Sequence, residues 1–262
     1  MDNKQFWMEQ AAHKGISAVN FDINMHALEN AAILPFIPST GTILDIGCGN
    51  GMTTHFLAES RPDTIFVGMD YIPGMIAAAN NLPHLNNLSF VVGDAIKLDG
   101  REQYDVIISK RLLINIKGYD NKQEVVNRIE RLLKPEGIYL MVENFIEPLM
   151  RINTIRQELN MDGIGVHDFN EYLTEDCIIN MSENNELYFT KEIDFGSMYY
   201  FISRVFNAHI SKILDYNSDI NKLATIISLT HPEIIKGLCP EKLIVYKKYI
   251  DVDISTANMW QL

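Results

Sequence analysis

The chain is expected to fold as an α/β domain, a largely parallel sheet with helices on both faces. Short apolar runs alternate with amphipathic segments from residue 43 to residue 142. Two of those runs end in an aspartate, Asp70 and Asp94. Between the first run and its helix stand three glycines at alternate positions, Gly47, Gly49 and Gly51.

The elements follow in order. Residues 4–37 read as helical, with Phe6, Trp7, Met8, Ala11 and Ala12 in one apolar cluster. Met25, Leu28, Ala31, Ala32 and Leu34 fit an i, i+3, i+7 face, and Pro35 and Pro38 end that helix. Ile43–Ile46 is a first strand and Met52–Ser60 its helix; Ile65–Asp70 is a second strand and Pro73–Leu82 its helix. Pro73 suits a first helical turn. Leu88–Asp94 and Tyr104–Ser109 are the third and fourth strands. Lys122–Leu133 carries Val125, Val126, Ile129, Leu132 and Leu133 on one face, and Pro135-Glu136-Gly137 turns into a fifth strand, Ile138–Val142. Apolar strands alternating with such helices make βαβ units, and ligands bind outside the carboxyl ends of their strands.

Beyond residue 146 the alternation stops. Leu187–Phe195 reads as a sixth strand, Tyr199–Leu214 and Asn221–Leu229 as helices, and Leu243–Ile250 as a last strand. No internal repeat, low-complexity stretch or linker divides the 262 residues. One domain, 1–262, is therefore expected. It has an N-terminal helical cover (1–38), a cofactor-binding core (39–146) and two insertions (147–185 and 197–238) folded over the strand ends as a lid.

With 47% hydrophobic and 21% charged residues the chain can build a core. Its net charge is −12 and its pI about 5.0. With no run of Lys or Arg, this disfavours nucleic acid and anionic membrane as partners. Cys48, Cys177 and Cys239 are far apart and odd in number, as expected of reduced thiols in a cytoplasmic protein. The N-terminus lacks the apolar stretch of a signal peptide, and no apolar run approaches the ~20 residues of a membrane span. A soluble, cytoplasmic protein is expected.

The glycine turn narrows the ligand. Glycine has no Cβ, so backbone N–H groups and a helix N-terminus approach a ligand closely there. A pyrophosphate turn is spaced G-x-G-x-x-G, with an acid about 20 residues on for the ribose. Here the third glycine comes one residue early, and Asp45 stands in the approach to the turn. A carboxylate there repels a pyrophosphate and suits a cationic ligand end. S-adenosylmethionine has such an end, an ammonium and a sulfonium, and no phosphate. Asp70 can then accept from both ribose hydroxyls, and Asp94-Ala95 can meet the adenine amino group.

Ile43–Gly51 resembles motif I of class I S-adenosylmethionine-dependent methyltransferases, written LDIGCGxG. Val67–Ile76 resembles their second-strand motif G-x-D-x-S-x-x-M, and Gly93-Asp94-Ala95 their third. Leu132–Gly137 resembles their L-L-K-P-G-G turn, with Glu136 replacing one glycine. The four motifs stand in order over residues 43–142. The resemblance implies a Rossmann-like seven-stranded sheet with its last strand antiparallel. It also implies methyl transfer by in-line attack on the sulfonium, releasing S-adenosylhomocysteine. Asp45, Gly47, Cys48, Gly49 and Gly51 would surround the methionine part, and Asp70 would hold the ribose. Tyr71, Met75, Asp94 and Ala95 would enclose the adenine. Trp7 in the N-terminal cover and Ser109 at the fourth strand end are expected at the same cofactor. No acidic cluster suggests a metal, and none is expected.

The acceptor is less defined. Ser109-Lys110-Arg111 replaces the N/D-P-P-Y/F of amino-directed DNA and RNA methyltransferases, which counts against base N-methylation. The stretches 111–116, 149–156, 166–173 and 194–205 resemble bacterial small-molecule methyltransferases, several from surface-polysaccharide or natural-product pathways. Arg111 suits a phosphate or carboxylate on the substrate, or an ion pair with Glu143 or another acid. His167 suits a general base or a hydrogen-bonded lid histidine, and Glu143 is the other candidate base. Asn115, Asn170, Tyr199 and Tyr200 are expected at the acceptor, although two tyrosines opening a helix also suit core packing. The expected activity is O-methylation of a small anionic or nucleotide- or sugar-linked metabolite, in capsule or surface-polysaccharide biosynthesis. The alternatives are an RNA-modifying methyltransferase, a non-catalytic cofactor-binding protein of the same fold, and a nicotinamide-dependent oxidoreductase.

Overall fold

A computed structural model describes residues 3–14, 22–183, 185–212 and 215–249. Parts of the expected helices, at 15–21 and 213–214, lie outside those residues, as does Ile250 of the expected last strand.

Two helices come first, α1 (Asn3–Lys14) and α2 (Ile23–Ile33). Asp22 caps α2, its side chain accepting from Asn24 and Met25 N–H. The alternating core is β1 (Gly41–Ile46), α3 (Met52–Ser60), β2 (Thr64–Asp70), α4 (Pro73–Ala79), β3 (Leu88–Val92), β4 (Tyr104–Lys110), α5 (Tyr119–Leu132) and β5 (Leu133–Asn144). Then come α6 (Ile146–Glu158), α7 (Cys177–Glu183), β6 (Leu187–Ile193) and α8 (Ser197–Phe201). A π-helical turn, Ile202–Asn207, leads from α8 into α9 (Ala208–Ser211), followed by α10 (Asp219–Thr230) and β7 (Glu241–Lys248).

The seven strands lie in the order β3-β2-β1-β4-β5-β7-β6. All pairings are parallel except those of β7, which runs antiparallel to both β5 and β6. The chain builds outward from β1 to β3, then returns to β1 with β4. That reversal opens a crevice at the carboxyl ends of β1 and β4.

The pleat sorts each strand onto two cores. Ile43, Val106, Ile108, Leu140 and Val142 face one way, against α2, α3, α8 and α10. Leu44, Ile46, Ile107, Tyr139 and Met141 face the other, against α5 and α7. On α5, Val125, Val126, Ile129 and Leu132 are all buried. Burial of such side chains contributes about 1.5–3 kcal/mol each, which explains why this otherwise polar helix docks.

Two elements differ from expectation. β5 starts at Leu133, so Pro135-Glu136-Gly137 lies inside the strand rather than before it. Glu136 takes φ +63° there, beside a register shift between Tyr104 and Val106. The segment 197–238, expected as a lid, packs on a face of the sheet. Tyr199 and Ala224 are buried in the sheet-face core, so α8 and α10 extend the layer begun by α2 and α3. Among the described residues no helix is long and apolar enough to cross a membrane.

Candidate functional site

The glycine turn is tied to the end of β2. Gly47 and Cys48 N–H both donate to Met69 O, at 2.7 and 2.9 Å. Gly47 takes φ +73°, and a Cβ there would lie 3.1 Å from Leu112 Cδ1, inside the cleft. Gly51 also needs its glycine, but for packing: a Cβ there would come within 2.5 Å of the Phe90 ring.

Asp70, the last residue of β2, faces the cleft. Its Oδ2 accepts from Gly49 N–H at 3.0 Å and its Oδ1 from Ile72 N–H at 2.8 Å. Burial pushes this carboxyl above its ordinary range, against the pull of those N–H groups. The cleft has two joined chambers of about 410 and 250 Å³, which share Gly47, Tyr71, Leu112, Asn115 and Phe169. The first runs over Met69, Gly93, Asp94, Ala95 and Ile96. The second holds Asp70, Met75 and Trp7, and continues to Arg111, Asn144, His167 and Asn170.

Helix α1 closes the cleft. Trp7 packs against Tyr71, Ile72 and Met75, and its Nε1 donates to Asn115 Oδ1 at 3.4 Å. Asn3 Nδ2 donates to Asn115 O at 3.0 Å. Phe6 lies 4.8 Å from Phe169, and His167 stacks on Phe169 with ring centroids 5.2 Å apart. His167 is thus part of an aromatic wall between α1 and the loop before residue 173.

Several expected site residues face elsewhere. Asp45 points to α3, is 2% exposed, and accepts from Thr54 Oγ1 at 2.6 Å. Burial pushes its carboxyl up to about 6. A carboxyl so placed does not reach the cleft. The Cys48 Sγ lies 3.7 Å from Gly49 O and against Gly68, so it too leaves the lining. Gly51 and Ser109 are likewise absent from it; Ser109 Oγ is buried on Tyr139 OH at 2.7 Å. Tyr199 is fully buried and donates to Asp22 Oδ1 at 2.7 Å, so it supports a wall rather than lining a pocket.

Glu143 is the largest correction. It is fully buried, and its carboxylate accepts the N–H groups of Leu112 and Leu113 at 2.8 and 2.7 Å and of Ile114 at 3.4 Å. Burial pushes it up to about 7. Held this way it shapes the turn after β4, lines neither chamber, and is not placed to take a proton from an acceptor.

Arg111 pairs with acids other than Glu143. Its Nη1 donates to both Glu241 oxygens, at 2.9 and 2.8 Å, and to Glu29. Lys110 Nζ donates to Glu29 at 2.6 Å and to Thr53 at 2.7 Å. Arg111 takes φ +49°, a left-handed conformation that costs about 1–2 kcal/mol outside glycine. It is pinned by its own N–H to Val142 O and by Asn115 Nδ2 to its carbonyl. Beyond it lies a third chamber of about 220 Å³, which shares Arg111 and Asn144 with the second and includes Tyr200, Arg204 and Glu241.

Sequence reasoning placed Asn144 at a ligand-binding strand end and missed Leu112, Phe169, Glu29 and Glu241 as site residues. Glu29 alone left a signal. It follows Leu28 and stands four residues after Met25, an acid on the buried stripe of α2. Buried acids are rare unless paired.

The lining fits S-adenosylmethionine. The glycine cradle at Gly47 leaves space that a Cβ would fill. Asp70 offers its remaining lone pairs to a diol. Ala95, Ile96, Met69 and Leu112 form apolar walls for a flat ring beside Asp94.

A family model described as "Methyltransferase domain" matches residues 37–192. The malonyl-[acyl-carrier protein] O-methyltransferase of Acetivibrio thermocellus is 28% identical over 124 residues, 46% of this chain and 43% of that protein. The trans-aconitate 2-methyltransferase of Shigella dysenteriae is 28% identical over 158 residues, 57% of this chain and 60% of that one. The chain thus spans less than two thirds of these relatives. The N-methyltransferase NodS of Bradyrhizobium japonicum, solved with S-adenosylhomocysteine, shares the fold with a TM-score of 0.57 at 11% identity, over 95% of this chain and 99% of NodS.

Proposed function

The chain belongs to the S-adenosylmethionine-dependent methyltransferase family, and on that premise we propose that it methylates an oxygen of a small anionic metabolite. One observation carries the reading: the two-chamber cleft over Gly47 and Asp70 opens past Arg111 and Asn144 into a polar third chamber. The donor supplies an electrophilic methyl on its sulfonium. In this reading Asp70 accepts from the ribose hydroxyls, and Asp94, Ala95 and Ile96 enclose the adenine. Trp7 and α1 exclude water, and Arg111 and Asn144 hold the acceptor oxygen in line. Positioning of this kind supplies several kcal/mol of rate enhancement.

An ionised acid oxygen needs orientation and no base, which suits a site whose buried Glu143 is engaged by three N–H groups. His167, on the second chamber, is the group available to a hydroxyl acceptor. Two relatives are named for malonyl and trans-aconitate acceptors, both carboxylic acids, which supports an anionic oxygen. The net charge of −12 weighs against RNA. The downstream stretches, which resemble surface-polysaccharide and natural-product enzymes, favour a place in such a cytoplasmic biosynthesis.

Titration calorimetry with S-adenosylmethionine and with NAD tests the donor. Binding of the first and not the second is expected, and the reverse would sink the reading. Release of S-adenosylhomocysteine across a panel of carboxylates, phosphates and sugar nucleotides tests the acceptor. Turnover confined to amines would refute an oxygen acceptor.

A further inference from the structure

We propose that the outer face of α10 is where two copies of this chain pair about a two-fold axis. Helix α10 is built inside out. Its inward side, against α2, α8 and the π-helical turn, is small and polar: Asn221, Ala224, Thr225 and Ser228 are buried there. Asn221 Nδ2 donates to Asp215 O at 2.6 Å and Thr225 Oγ1 to Asn221 O at 2.9 Å. Asn207 Nδ2, from the π-helical turn, donates to Ser218 Oγ at 3.0 Å. The outward side is large and apolar. Leu223 and Ile226 lie three residues apart, on adjacent turns, and each is 58% exposed, with Ile220 and Leu229 exposed beside them. The π-helical turn and α9 repeat the pattern, with Ser203 and Asn207 buried and Phe206 and Ile210 exposed.

Packing within one chain does not produce this arrangement. Core formation draws the large apolar side chains of a surface helix inward and leaves its polar residues in water. A helix with leucine and isoleucine on its outer face is one whose cover belongs to another molecule.

Charge selects that molecule. The chain carries −12 in all, so two copies repel at long range and are favoured to meet where they are locally neutral. The stretch 206–236 is such a place: Lys212, Lys222 and Lys236 balance Asp215, Asp219 and Glu233, with the histidines neutral. A helix that lies on a membrane instead carries an excess of Lys and Arg around its apolar side. The order of the charges suits a copy of itself. In a two-fold interface one patch meets the same patch, and an axis perpendicular to α10 runs the two helices antiparallel. The end bearing Lys222 then faces the mate's end bearing Glu233, and the end bearing Asp215 and Asp219 faces the mate's Lys236. Acid can meet base at both ends, while the leucines and isoleucines meet their own copies between them.

Sedimentation equilibrium on the full chain at tens of micromolar is the test. A mass near twice 29.9 kDa is expected. Leu223→Glu combined with Ile226→Glu should return the mass to that of one chain. The melting temperature should stay within a couple of degrees and S-adenosylhomocysteine affinity within about twofold, because α10 lines none of the three chambers. If that variant loses its cooperative melt, Lys222→Glu takes its place. It should raise the dimer dissociation constant tenfold or more, and adding Glu233→Lys should restore it. A monomeric wild type overturns the proposal, as does a dimer left intact by the variant used. A monomer that floats with phosphatidylcholine vesicles would give the face to a membrane, and one that dimerises once residues 250–262 are removed would give it to that segment of the chain.

Discussion

Two aspartates on neighbouring strands have opposite roles, and their position along the strand is the reason: Asp45 pairs with Gly68, two residues short of Asp70. Asp70 ends β2 facing the cleft, while Asp45 lies one residue inside β1 and faces α3. Asp70→Ala should weaken S-adenosylmethionine binding by about 1–3 kcal/mol, the range for lost hydrogen bonds to a charged group. Unchanged affinity by calorimetry would remove Asp70 from the ribose. For Asp45 the consequence is a pH dependence. Its folded value of about 6 lies above its ordinary 3.8, so the fold favours the protonated form. That contribution is complete below pH 4 and is lost as pH rises through 6, a swing of about 3 kcal/mol at most. Asp45→Asn stays neutral and still accepts from Thr54. It should raise the melting temperature at pH 8 by several degrees more than at pH 4, and equal shifts would refute the buried-acid account.

At the scale of elements, the turn after β4 and helix α1 carry the site. Glu143 gathers three N–H groups of that turn. As an organiser, Glu143→Gln should cost about 1–3 kcal/mol of stability, with a pH–rate profile of unchanged shape. A base would instead cost about 10²-fold or more in kcat with melting unchanged. Helix α1 reaches the rest of the molecule through α4, the aromatic wall and Asn115, apart from the two sheet-face cores. Trp7→Ala should therefore weaken donor binding by about 1–2 kcal/mol through lost apolar contact. The melting point of the ligand-free protein should move by no more than a couple of degrees. A large melting loss with intact affinity would make α1 a structural helix and no cover.

For the whole molecule, the donor should bind only the folded state, because the cleft proposed to hold it is assembled from the ends of β1, β2 and β4, the turn after β3 and α1 together. At 100 times its dissociation constant S-adenosylmethionine should add about 2.7 kcal/mol, or roughly 5–10 °C in Tm for a chain of this size. Absence of a shift at that concentration would refute a preformed donor site. The strands, the helices that alternate with them up to residue 133 and the donor motifs were legible in the linear sequence because each rests on a local rule, whereas α6 and α7 were not. Apolar runs make strands, a 3.6-residue stripe makes α5, and glycines at alternate positions make a turn that admits a ligand. The sequence by itself therefore determined the fold and the donor. Which way a side chain faced was settled by packing: Asp45, Cys48, Ser109, Glu143 and Tyr199 turned from the cleft into their neighbours. The third chamber depended wholly on tertiary structure. Asp22, Glu29, Arg111, Arg204 and Glu241 meet there from positions more than two hundred residues apart, and no period or turn in the sequence records that meeting. Only the docking of α2, the β4 turn, the π-turn and β7 onto one sheet brought these charges within reach of one another.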